Sequence, residues 1–171
     1  QERVYFGADD GYLYCLNAES GRLLWKVRGG PRERAVWGNE RLISTWPVAG
    51  GVAVQDGVVY AAAGIAHYDG TYVVALDAVS GKTIWKNDTS GTVSHEVNCG
   101  ISLQGELQVR GEELQFLGGG AYQLARYDRK TGHCLNEPRN EPTSQFATAF
   151  YPHFPHYGRY VALYHTFPDG R

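Results

Sequence analysis

At 171 residues, 43% hydrophobic and 20% charged, the chain has the length and composition of an ordinary globular domain and not of a disordered segment. Sixteen basic residues against eighteen acidic ones give a net charge of −2, which offers no electrostatic footing for nucleic acid or an anionic membrane surface. No apolar run approaches the roughly 18 residues of a membrane helix, no signal-peptide pattern occurs, and 22 glycines, 12 tyrosines and 4 tryptophans favour many short strands joined by tight turns.

In chain order, Val4 to Ala8 reads as a strand, Asp9-Asp10-Gly11 as a hairpin turn and Tyr12 to Leu16 as the returning strand. Asn17 to Gly21 turns the chain again, and Arg22 to Val27 follows as the next strand. The strand pattern then lapses from Gly29 to Pro47, where Glu33 to Leu42 is expected to form a short helix and Arg32, Arg34 and Arg41 a solvated face. Gly50 to Val54, the turn Gln55-Asp56-Gly57, and Val58 to Ala63 make a further hairpin. After a long turn through Ala66 to Gly70 comes Tyr72 to Trp85: a strand, turn chemistry from Asp77 to Gly81, and a strand ending in a large aromatic. A polar excursion, Asn87 to Gly100, leads to a third pair of strands, Gly105 to Val109 and Glu113 to Leu117, at an offset of 55 residues from the second. Tyr122 to Tyr127, Asp128 to Gly132 and His133 to Leu135 complete a weaker copy, with Asn136 in the place of the tryptophan. From Glu137 onward Pro138, Pro142, Pro152 and Pro155 interrupt a stretch dense in Phe, Tyr and His, where only Tyr160 to Thr166 reads as a strand.

The chain therefore repeats itself: Tyr12 to Trp25 and Tyr72 to Trp85 say nearly the same thing. A sheet of short strands that is apolar on alternate positions must stack on another, and repeats longer than about 40 residues commonly stack radially. The fold class predicted is all-β, a β-propeller of four-stranded antiparallel blades, with about three to three and a half blades present. The repeats fall near residues 4–28, 50–86 and 105–136, with excursions at 29–47 and 87–100, so that 1–136 is propeller and 137–171 a Pro-, aromatic- and His-rich segment leading into a further blade. The start at Gln1, the absence of methionine and the turn-like end at Phe167 to Arg171 read as a piece of a longer polypeptide.

Cys15 to Trp25 (Cys-Leu-Asn-Ala-Glu-Ser-Gly-Arg-Leu-Leu-Trp) and Ala75 to Trp85 (Ala-Leu-Asp-Ala-Val-Ser-Gly-Lys-Thr-Ile-Trp) resemble the tryptophan-docking motif of the PQQ-like, quinoprotein alcohol dehydrogenase-like β-propellers. The resemblance implies structural docking roles for Trp25, Trp85, Asn17, Asp77, Gly21 and Gly81, and for Asp128 and Gly132 in the third copy, which departs from the motif at Arg126 and Asn136. It also implies an exported, periplasmic or extracellular location, with other blades or protein subunits as partners. Family members include enzymes with PQQ on the propeller axis, stacked on an aromatic and bound to calcium through carboxylate and amide oxygens, beside a disulfide of adjacent cysteines. This chain has no adjacent cysteine pair, and no calcium ligands or catalytic Asp are assignable in it; similar propellers without PQQ ligands act in outer-membrane assembly.

Other residues carry weaker signals. His95 and Glu96, near Asn98 and Cys99, are candidate ligand or metal groups in an inter-blade excursion, although neighbours in sequence on a strand point to opposite faces. His153, His156 and His165 stand among Tyr151, Phe154, Tyr157 and Tyr160, where metal binding or sugar stacking competes with aromatic packing. Cys15, inside a strand pattern, reads as a buried thiol. Asn87-Asp88-Thr89 fits a glycosylation sequon, and the Asp-Gly pairs at 10, 56, 69 and 169 read as hairpin turns. No phosphate-cradling loop and no serine nucleophile elbow occur. The function expected is a non-catalytic scaffold or binding module, with no cofactor assigned. The alternatives are a PQQ- and calcium-dependent alcohol or sugar dehydrogenase, and a carbohydrate-active propeller using the tail histidines and tyrosines.

Overall fold

The structure, a computed structural model, describes residues 2–38, 40–65, 69–91, 100–118 and 124–136. His95, Glu96, Asn98, Cys99, His153, His156 and His165, and the whole tail from residue 137, lie outside them. The named elements among the described residues are twelve β-strands. β1 (Arg3–Gly7), β2 (Tyr12–Asn17) and β3 (Leu23–Arg28) form the first antiparallel sheet. β4 (Ala35–Gly38) and β5 (Arg41–Ser44) form a two-stranded hairpin. β6 (Val52–Gln55), β7 (Val58–Ala63), β8 (Tyr72–Asp77) and β9 (Thr83–Asn87) make the second, four-stranded sheet. β10 (Gln104–Arg110), β11 (Glu113–Leu117) and β12 (Leu124–Asp128) make the third.

Consecutive strands pair as neighbours because their connections are tight. Between β6 and β7 only Asp56 and Gly57 intervene, both at positive φ (52° and 75°), as a primed two-residue turn requires. The sheets stack face to face and bury two clusters. Leu13, Val59, Ala61, Val74 and Leu76 lie between the first and second sheets, and Tyr60, Ala62, Val73, Leu114, Phe116 and Tyr127 between the second and third. The middle sheet is covered on both faces, so β8 is a continuous apolar run, Tyr72 to Leu76, with every residue buried. β2, whose second face is less covered, alternates between buried Leu13 and Cys15 and half-buried Tyr12, Tyr14 and Leu16.

The helix expected over Glu33 to Leu42 is not there. Val36 pairs with Ile43 and Trp37 with Leu42 in an antiparallel ladder, and Glu40 takes φ 62° at its turn. β-branched and aromatic residues on either side of a glycine suit an extended hairpin, and Gly38 costs a helix interior about 1 kcal/mol. The third sheet also departs from its template. Its returning segment makes a single bridge, Tyr127 to Cys134, in place of a fourth strand. The Asn136 side chain takes over the edge, accepting from the Arg126 amide at 2.7 Å and donating to the Leu124 carbonyl at 2.8 Å.

Candidate functional site

The motif residues assemble at the interfaces between sheets. Each turn is built the same way from its own sequence. Asp77 Oδ1 accepts from the Ser80 amide (2.7 Å) and hydroxyl (2.6 Å), and Gly81, at φ 69°, donates its amide back to the Asp77 carbonyl at 2.8 Å. Asn17 does the same with Ser20 and Gly21, and Asp128 with Thr131 and Gly132. These bonds favour the ionised carboxylate. The Ser80 hydroxyl chiefly, then its amide, holds Asp77 below its usual range, and Thr131 does so for Asp128.

Onto two of these turns an indole from the preceding sheet descends. Trp25, on β3, donates Nε1–H to the Ala78 carbonyl at 3.3 Å and packs on Gly81, where a Cβ would stand 2.8 Å from the ring. Trp85, on β9, donates to the Arg129 carbonyl at 3.0 Å and covers Gly132, where a Cβ would stand 2.3 Å from it. Both glycines are thus required twice, by positive φ and by the indole. Tyr5 and Tyr60 flank the two indoles at 5.7 and 6.2 Å between ring centroids, and the Tyr5 hydroxyl also donates to the Ala78 carbonyl at 2.9 Å.

Further residues, silent in the sequence, join the same interfaces. Asn87 Nδ2 donates to the Gly132 carbonyl at 2.8 Å, so the sequon asparagine spends its amide on the neighbouring sheet. Arg129 pairs with Asp56 at 3.0 Å, bridging the third sheet to the β6–β7 turn, and the buried Thr71 hydroxyl donates to the Ile101 carbonyl at 2.5 Å. Their partners are 30 or more residues away, and no local pattern announces them. Cys15 is fully buried, and burial raises its thiol pKa. Asp69 pairs with Arg34 (3.2 Å) at the base of the β4–β5 hairpin and Asp9 with Arg41 beside its turn, so two of the three arginines hold it down.

One concave feature lies beside the starts of β6 and β10: a cleft of about 430 Å³ lined by Pro47, Gly50, Gly64, Leu103, Gly105, Glu106 and their neighbours. Its described lining offers one carboxylate, Glu106, and no aromatic ring or basic group. PQQ carries several carboxylates and a planar ring, so these residues do not fit it. Among the described residues no three His, Cys, Asp or Glu side chains come together as metal ligands, and no described helix is long and apolar enough to cross a membrane.

Comparison with known proteins agrees with this geometry. The chain is 36% identical over 85 residues to the dehydrogenase subunit of a quinone alcohol dehydrogenase from Gluconobacter oxydans, covering 49% of this chain and 11% of that protein. The corresponding subunit from Komagataeibacter europaeus is 34% identical over 95 residues, covering 55% and 12%. The chain thus spans about a tenth of the length of these relatives. Among solved structures, BamB from Moraxella catarrhalis superposes with a TM-score of 0.54 at 19% identity, over 82% of this chain and 36% of that one. A europium-containing methanol dehydrogenase superposes at 0.53 with 17% identity, over 85% and 24%. These likenesses show the shared propeller fold. A family model described as outer membrane protein assembly factor BamB, PQQ_2, matches residues 9–152, and the chain belongs to this family of PQQ-type propeller repeats.

Proposed function

We propose that this segment is a non-catalytic propeller scaffold, exported from the cytoplasm, that displays a protein-binding hairpin as part of a larger protein or assembly. The observation that supports it best is the β4–β5 hairpin. Trp37 and Leu42, paired across it, are 74% and 68% exposed, while the Arg34–Asp69 pair holds the hairpin at its base and the Arg41–Asp9 pair beside its turn. A large exposed aromatic on a fixed support is the kind of residue that anchors protein interfaces. The motif side chains, by contrast, are spent on holding sheets together. Membership in a family described by an outer-membrane assembly factor supports the exported location. A photo-crosslinker at position 37 of the full-length protein in intact cells is expected to capture one defined neighbour, and Leu42→Asp to reduce the yield at least tenfold. Equal yields from position 37 and from exposed Arg110 would refute the hairpin's role.

A second reading, a PQQ- and calcium-dependent dehydrogenase, is favoured by the identity to quinone alcohol dehydrogenase subunits over half of the chain. In it, this segment supplies framework and the cofactor would be held by other parts of the protein, since the described cleft does not fit it. Full-length protein incubated with PQQ and calcium decides between the readings: the scaffold predicts neither bound chromophore nor alcohol-dependent dye reduction, and the dehydrogenase predicts both.

A further inference from the structure

Among the described residues β4 and β5 pair with each other and with no third strand, so each has an edge whose main-chain groups face outward. Which groups these are follows from one bond. The Thr45 amide donates to the Arg34 carbonyl at 2.8 Å, which makes 34/45 a hydrogen-bonded pair; by the antiparallel alternation 36/43 and 38/41 are hydrogen-bonded too. Ala35 and Trp37 therefore turn both amide and carbonyl away from β5, as Leu42 and Ser44 turn theirs away from β4. The Ser44 amide agrees, donating outward to the Asp9 carbonyl at 2.7 Å. Asp9 also pairs with Arg41, so the β5 edge is held against the β1–β2 turn. The β4 edge is left open, and no described residue pairs with the outward groups of Ala35 and Trp37.

Exposed edges are ordinarily blunted by a charge, a proline or a bulge. β4 reads Ala-Val-Trp-Gly, contains no charge or proline, and pairs with β5 without a break in register. On its exposed face Ala35 and Trp37 stand beside Leu42, an apolar strip that runs along the open edge. The Arg34–Asp69 and Arg41–Asp9 pairs fix the hairpin in advance, so little further ordering is asked of this side when a strand joins it.

We infer that the outer edge of β4 is a strand-addition site, where an extended segment of a partner protein joins as a third strand and lays uncharged β-branched or aromatic side chains against Ala35, Trp37 and Leu42. The area selects this occupant over a second copy of the chain. Trp37, 74% exposed, presents roughly 200 Å². Leu42 adds less, and each copy in a stable dimer would bury roughly 800 Å². A patch of this size needs main-chain bonds to hold a partner. The amide and carbonyl of Ala35 and of Trp37 supply them, and only an extended backbone can meet all of them at once.

The inference deepens the hairpin reading above and rests on it, so its test separates the two. In the full-length protein with the crosslinker at position 37, Ala35→Pro removes one outward N–H and leaves Leu42 in place. Proline is tolerated at the first residue of an edge strand. The melting midpoint should hold while the crosslink yield falls at least tenfold. A yield that survives Ala35→Pro but falls with Leu42→Asp would keep the protein-binding hairpin and overturn strand addition; a yield indifferent to both would overturn both. A second measurement does not depend on the variant's folding or on the cellular partner. The capped peptide Lys-Thr-Val-Thr-Val-Thr-Lys, in large excess over the full-length protein, should slow hydrogen exchange of the Ala35 and Trp37 amides about tenfold and leave Val36, already bonded within the hairpin, unchanged. Unslowed exchange at Ala35 and Trp37 overturns the site whatever the crosslink shows. In sedimentation, a dimer that dissociates on Ala35→Pro would assign the edge to a second copy and overturn the partner segment.

Discussion

Trp85 shows how much one side chain is asked to do. It is half-buried, so its removal should cost less than the 3–5 kcal/mol typical of a fully buried tryptophan; Trp85→Ala is expected to destabilise by about 2–3 kcal/mol and Trp85→Phe, which keeps a ring but loses the bond to Arg129, by about 1 kcal/mol. Urea unfolding separates the two, and a Trp85→Phe variant as stable as the parent would show that the carbonyl bond contributes nothing. The spacing Asp77, Gly81, Trp85 was legible because all three follow from a local turn and its resemblance to a known motif. Asn87, Arg129 and Tyr5 were not. Their contacts, to Gly132, Asp56 and Ala78, lie 45, 73 and 73 residues away, and nothing nearby distinguishes them from solvated polar residues.

At the scale of elements, strands were legible where turns bracket them with glycine and aspartate, and least so where charges imitate a helix, as around Glu33 to Arg41. The edge of the third sheet is the instructive departure. Its far face carries Glu113, Gln115 and Arg126 where the second sheet has Val58, Tyr60 and Ala75, and Arg126 grips Glu113 at 2.5 Å with Gln115 donating at 2.9 Å. The Arg126 contact holds the Glu113 carboxyl down at about 2, from an ordinary 4.5. Because the folded value is the lower one, the pair's support is complete above the ordinary carboxylate range and disappears as pH falls through about 2. The expected outcome is an acid limb in the melting midpoint between pH 4.5 and 2 that is shallower in Glu113→Gln; superimposable limbs would count against the pair. Arg126 is exposed and Glu113 only half-buried, so the pair is screened from the Arg126 side and the effect is small and salt-sensitive.

At the scale of the molecule, the architecture was readable from repetition alone, since two copies of one motif require sheets that cover each other. Their mutual cover explains why the middle sheet is buried on both faces, with every residue from Tyr72 to Leu76 buried, whereas Val4 and Phe6 of the first sheet are exposed and the third carries Glu113, Gln115 and Arg126 on its far face. Function was less legible for a physical reason. The motif that stands out is spent on cohesion, whereas Trp37, Leu42 and the lining of the Glu106 cleft owe their position to tertiary packing and show no spacing of their own.

One detail of the docks reaches further. The acceptor for each indole is a main-chain carbonyl, at Ala78 in one case and at Arg129 in the other. A carbonyl is present whatever side chain the codon specifies, so this contact places almost no demand on the identity of the residue that supplies it. Duplicated repeats can therefore drift apart at that position, from alanine to arginine within one chain, without losing their grip on each other. Such tolerance gives a physical route by which the same architecture persists in proteins sharing only 17–19% of their residues with this one.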